Sequence, residues 1–143
     1  MIVDQISVFI ENRPGTLAEA TAILGDAGID MRALSIADTS DFGVLRVIVN
    51  DPKRALELLK KAGFVVSITP VLAVSLADTP GSLAKLLRIL SDGSVSVEYA
   101  YAFITRKEGN AYVILRVENN DLAHDILAKE GINILLDGSI FGE

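Results

Sequence analysis

The chain says the same thing twice. Asn12-Arg13-Pro14-Gly15-Thr16-Leu17-Ala18 returns 66 residues later as Asp78-Thr79-Pro80-Gly81-Ser82-Leu83-Ala84. Each copy follows an alternating apolar run and opens a pattern with helical spacing. A repeat of this period divides the 143 residues into two small units, each built from one supersecondary motif. It also makes the repeated loop, rather than any isolated polar residue, the first candidate for a site.

The periodicities within the first copy spell out the motif. Ile6, Val8 and Ile10 alternate with Gln5, Ser7 and Phe9, which predicts a strand over residues 2–10. Pro14-Gly15 breaks it, and Leu17, Ala20, Thr21 and Leu24 then recur at helical spacing as far as Ala27, with Gly28 as the stop. Strands are predicted over 30–39 and 44–49, a helix from Pro52 to Ala62 behind the cap Asp51, and a fourth strand over 64–68. The second copy repeats the order with a strand at 71–77, a helix at 81–92, paired strands at 95–105 and 111–117, a helix at 122–130 and a last strand at 132–136. Asp137 to Glu143 reads as a short extension. Strand, helix, strand, strand, helix, strand is the split βαβ arrangement. The expected fold class is therefore α+β: two tandem ferredoxin-like domains, 1–69 and 70–143, each a four-stranded antiparallel sheet with helices on one face. Thr69-Pro70 is read as the whole joint between them.

Half of the residues are apolar, so the chain can build cores without staples, although each half is near the lower size limit for standing alone. Burial between halves or between chains is expected for that reason. There is no Cys, which excludes disulfides, thiolate metal sites and Cys nucleophiles. No stretch approaches the length of apolar sequence that spans a bilayer, and the N-terminus lacks a basic segment followed by an apolar one. The expectation is a cytoplasmic protein without a membrane partner. The first 69 residues carry 7 basic and 9 acidic side chains and the remainder 6 and 10, so neither half is basic and nucleic acid is not an expected partner.

Strand parity assigns the sheet faces. Leu34 and Ile36, with Ala100 and Ala102, should point at the helices. Ala33 and Ser35 then share the open face with Tyr99, Tyr101 and Phe103, joined by Tyr112 and Ile114 from the next strand. All three tyrosines of the chain fall there. A contiguous apolar face of this kind marks an interface. The expected association is a homodimer or higher homo-oligomer.

The repeated loop joins a strand end to a helix start. Backbone N–H groups at a helix start point outward, and the helix dipole favours negative charge there. Gly15 and Gly81 leave the backbone open to a ligand, and Pro14 and Pro80 pre-set φ. Asn12 and Asp78 place a short polar side chain just before the turn. A small zwitterion suits this: carboxylate on the N–H groups, ammonium on Asn12 or Asp78. The same residues also suit a plain turn, with Asn12 or Asp78 in an Asx-turn and Thr16 or Ser82 bonded locally.

The loop, the Ala27-Gly28-Ile29-Asp30 helix end and the stretch Arg32 to Gly43 resemble the ACT domain, and the whole chain resembles small stand-alone proteins made of two tandem ACT domains. The match covers residues 3–68 and 71–136. In the second copy Ser91-Asp92-Gly93-Ser94 departs from the pattern at the helix end. The resemblance implies a regulatory module that binds a free amino acid near domain or subunit interfaces, with the second strand of a neighbour completing the site. It implies that Asn12 and Asp78 hold the ammonium, that Gly15 and Gly81 offer backbone N–H groups, and that Leu17 and Leu83 shape the side-chain pocket, which mildly favours an apolar amino acid. Any output would pass to a separate enzyme or regulator.

Catalytic and metal readings find little support. His124 is the only histidine, and no Ser-His-Asp set, dinucleotide fingerprint or phosphate loop occurs. Glu11 or Glu98 could serve a small enzyme as acid or base, but neither has a visible partner group. Asp38 and Asp41 read as turn residues. No cofactor and no metal are expected. The rival to an amino-acid sensor is a scaffold without a small-molecule ligand.

Overall fold

In the computed structural model of the protein, residues 2–38, 40–103, 108–136 and 140 are described. The predicted tail apart from Ile140, the strand end and turn over 104–107, and the side chain of Asp38 lie outside what is described. The chain forms two compact units, one comprising Asp4–Thr69 and the other Pro70–Glu143 with the residues up to Val3.

In the first unit, β1 (Val3–Glu11) leads to α1 (Thr16–Asp26), β2 (Met31–Asp38), β3 (Phe42–Val49), α2 (Pro52–Lys61) and the start of β4 (Val65–Ala77). The strand order is β2-β3-β1-β4. The alternation of β1 turns Ile6, Val8 and Ile10 to one side, where they pack with Leu45, Val47 and Val49 of β3 and with Ala20, Leu24, Ala55 and Leu59 of the two helices. Asp51 caps α2 by accepting the Arg54 N–H at 3.2 Å.

In the second unit, the rest of β4 is followed by α3 (Ser82–Asp92), β5 (Val97–Phe103), β6 (Asn110–Val117), α4 (Asn120–Lys129) and β7 (Asn133–Ile134). Here β4 lies between β6 and β7, and β5 is the edge. Leu72, Val74 and Leu76 take the place of the β1 residues, packing with Val113, Leu115, Val117 and with Leu86, Leu90, Ala123 and Leu127 from the helices. The repeat extends to a detail of the ladder: β2 shifts register between Met31 and Ala33, and β5 does so between Val97 and Tyr99.

Two expectations need correction. The strands predicted at 64–68 and 71–77 are one strand of 13 residues, so the sheets are not separate: the last strand of the first unit is the first strand of the second. Proline did not break it because Pro70 lacks only a donor, while its ring forces Thr69 into extended backbone, which is what a strand requires. Leu34 and Ile36 do lie opposite the core residues Val47 and Leu45, hence on the helix side. They are nevertheless 50% and 46% exposed, because β2 is the edge strand and the helices do not cover it. Ala100 and Ala102 are exposed in the same position on β5.

Candidate functional site

The two loops share one backbone geometry. Gly15 caps α1 with φ 92°, and Gly81 caps α3 with φ 90°. This left-handed conformation suits glycine. The first helical bonds run from Glu19 N–H to Gly15 O and from Lys85 N–H to Gly81 O, and the N–H groups of Thr16 and Ser82 donate to Arg13 O and Thr79 O, so those of residues 17, 18, 83 and 84 precede the helical ladder.

Side chains tie the first loop down. The Thr16 hydroxyl donates to Glu11 O at 2.7 Å and Arg13 O at 3.0 Å, and Thr16 is buried. Asn12 N–H donates to Asp41 O at 2.9 Å, and its Nδ2 donates to Ser40 O at 3.3 Å, which fixes the loop to the β2–β3 connection. With Nδ2 so engaged, Oδ1 is the end that can accept from a ligand. In the second loop the hydroxyls of Ser82 and Thr79 are 2.8 Å apart, and Asp78 N–H donates to Gly109 O. Pro14, Pro80, Asp78 and Leu83 are exposed.

Beside the first loop lies a cleft of about 170 Å³, lined by Ile10, Asn12, Leu17 and Ile36 among others. The sequence expectation turned Ile36 toward the helices; on the edge strand β2 it walls the cleft instead. A second cleft, of about 290 Å³, borders Arg13 and Thr16 and is lined by Phe9, Phe42, Phe64 and Val65. It was missed, although Phe9 is an apolar residue on the polar side of β1.

The residues singled out on the open face do share one face of their sheet. Tyr99 pairs with Arg116, Tyr101 with Ile114 and Phe103 with Tyr112, opposite in parity to the helix-side pair of exposed Ala102 and core Val113. Tyr99 and Tyr101 stack at 6.5 Å, and Phe103 meets Tyr112 at 5.1 Å. Ile114 and Phe103 are buried and the three tyrosines half-buried. In the first unit Ala33 is buried and Ser35 half-buried.

Glu11 and Glu98, the acid/base candidates, are each paired with an arginine: Glu11 with Arg13 at 2.9 Å and Glu98 with Arg116 at 3.4 Å. Among the described residues no group of three or more His, Asp or Glu side chains could hold a metal ion, and no helix is long and apolar enough to cross a membrane.

Element order, strand order and the glycine-capped loops define an α+β module in which a strand-helix-strand-strand-helix-strand motif occurs twice. A family model described as an ACT domain pair matches residues 1–141, and the chain belongs to that family, known for allosteric regulation by bound amino acids. It is similar to protein BT0572 from Bacteroides thetaiotaomicron, with 38% identity over all of this chain and 98% of that one, at a TM-score of 0.93. The fold is shared with the ligand-free regulatory subunit of aspartate kinase from Thermus thermophilus, at 19% identity over 88% of this chain and 91% of that one, with a TM-score of 0.67. The corresponding subunit from Thermus flavus is 21% identical over 88% of this chain and 90% of that one, with a TM-score of 0.62. No curated protein matches the chain.

Proposed function

We propose that the protein is a non-catalytic amino-acid sensor, with one ACT domain at residues 1–69 and another at 70–143. The ligand sits at the Pro-Gly loops, its carboxylate on the N–H groups that follow Gly15 or Gly81 and its ammonium on Asn12 or Asp78. Its side chain lies against Leu17 or Leu83. The observation that carries this reading is the cleft of about 170 Å³ in which Asn12 and the loop meet Ile10, Leu17 and Ile36. Polar groups at one end and apolar walls at the other suit an amino acid with an apolar side chain.

The site is open on the side of β2, an edge strand whose Leu34 and Ile36 are exposed. An exposed apolar edge strand is a template for association. A second copy of the chain covering this edge would close the cleft, so the sensor works as a homodimer or higher homo-oligomer. The signal passes to a separate enzyme or regulator. The aspartate kinase regulatory subunits that share the fold support a catalytic enzyme as the recipient.

The scaffold reading has one observation in its favour: the Thr16 hydroxyl is spent inside the loop, as a plain turn would have it. A thermal-shift screen of the twenty amino acids on the intact protein separates the two, since a ligand that binds only the folded state must raise its stability. A selective rise that is lost with Leu17→Arg supports the sensor. No rise with any amino acid at millimolar concentration favours the scaffold.

A further inference from the structure

The loop cleft accounts for one side of the Asn12–Leu17 segment. The larger cleft of about 290 Å³ accounts for the other, and its chemistry differs. Its walls carry three phenylalanines, Phe9, Phe42 and Phe64, with Val65. Phe9 and Phe42 are 52% and 48% exposed, although their ring centroids are only 5.8 Å apart with the planes tilted by 56°. Two half-exposed rings at an open cleft offer an incoming ring both a face and an edge.

Charges of both signs stand at the same cleft. Arg13 is held by Glu11, whose Oε2 accepts from Nε at 2.9 Å. That bond leaves the terminal guanidinium nitrogens as the end able to reach a carboxylate in charge-assisted fashion. Glu19, in the first turn of α1, supplies an acceptor for an ammonium. The second copy of the motif has none of this. At the same repeat spacing Phe9, Arg13 and Glu19 become Ser75, Thr79 and Lys85. The cleft is therefore a property of the first unit and not of the shared loop architecture.

We infer that this cleft is a second binding site, for a small aromatic zwitterion: a single ring set against Phe9 and Phe42, a carboxylate on Arg13 and an ammonium on Glu19. Its volume is at the small end of the roughly 300–1,000 Å³ of ligand pockets, which fits one ring with a short polar tail. The inference does not depend on amino-acid binding in the loop cleft. Glu11, Arg13 and Thr16 border both clefts, whereas Asn12, Leu17 and Ile36 line only that one and Phe9, Phe42, Phe64 and Glu19 line only this one.

The test is calorimetric titration of the intact protein with L-phenylalanine, phenylacetate and 2-phenylethylamine. L-Phenylalanine should bind saturably and each single-charge analogue about tenfold more weakly or worse. Phe9→Ala should weaken L-phenylalanine by about tenfold, the loss of one aromatic contact at its upper range. In the unaltered protein, ring protons of the bound ligand should show nuclear Overhauser contacts to Phe9 and Phe42, a readout that needs no variant to fold. No binding, unchanged affinity in Phe9→Ala, or ligand ring contacts to Leu17 and Ile36 in place of Phe9 and Phe42 overturns the assignment. So does a Phe9→Ala protein that dissociates into smaller species with its affinity intact, because the rings would then be a contact between copies of the chain.

Discussion

Gly15 and Gly81 hold the same left-handed backbone, φ 92° and 90°, each at the cap of the helix that follows its loop. A Cβ built on either would meet nothing within 4 Å. The requirement for glycine is thus set by φ and not by lack of space. Gly15→Ala and Gly81→Ala should each cost about 1–2 kcal/mol in folding stability, the strain of an L-residue in this region. Urea denaturation measures it. A cost that scales with side-chain size would mean that crowding, rather than φ, governs the position.

The departure at the end of α3 makes a second prediction. In the first copy Ala27 is the C-cap with φ −85°, and Gly28 follows with φ 73°. In the second, Gly93 is the cap with φ −88°, and Ser94 takes the left-handed position at φ 60°. The glycine has moved back one place. The reason is Ile126, whose Cδ1 would clash with a Cβ on residue 93. Ser94→Gly should therefore stabilise the protein by about 0.5–1 kcal/mol. Gly93→Ala should destabilise it by about 1–3 kcal/mol, as overpacking does, and Ile126→Val should recover part of that loss. Thermal or urea unfolding of the double-mutant cycle checks both signs.

The helix caps give a third. Asn119 Oδ1 accepts the Leu122 N–H at 3.0 Å as Asp51 does for Arg54. Asn119→Ala and Asp51→Ala should each cost about 1 kcal/mol, read by denaturant midpoint. A larger loss at Asn119 would show a further role for that side chain.

How far the sequence alone led can be judged at particular residues. Element order was legible because Ile6-Val8-Ile10 and Leu72-Val74-Leu76 keep strict alternation ahead of each glycine loop, and local pattern is what strands and helices obey. The continuity of β4 was not legible, because Pro70 breaks a pattern without breaking a strand. Ile36 was assigned the right side of its sheet and the wrong surroundings. Parity fixes a side, but coverage depends on how far the helices reach, and that is not written in β2 itself. The Phe9–Phe42 pair escaped notice because 33 residues separate partners that only the antiparallel register of β1 and β3 brings together.

The charge at Asp78 reports on how a ligand site there would be closed. Asp78 is exposed. If a second copy of the chain covers the bound ammonium, Asp78→Ala should weaken amino-acid binding at that loop by about 2–5 kcal/mol, the cost of stripping a partner from a desolvated charge. If the loop stays wet, the loss should be no more than about 1 kcal/mol. The account predicts the larger value, and isothermal calorimetry distinguishes them.

Calorimetric titration of the intact protein with the twenty amino acids, repeated on the Asn12→Ala, Asp78→Ala double variant, tests the central claim most directly. The account predicts saturable binding of at least one amino acid, an apolar one favoured, and its loss or severe weakening in the double variant with the thermal midpoint of unfolding preserved. No heat with any amino acid at millimolar concentration, or no amino acid whose binding is weakened in the double variant, would contradict it.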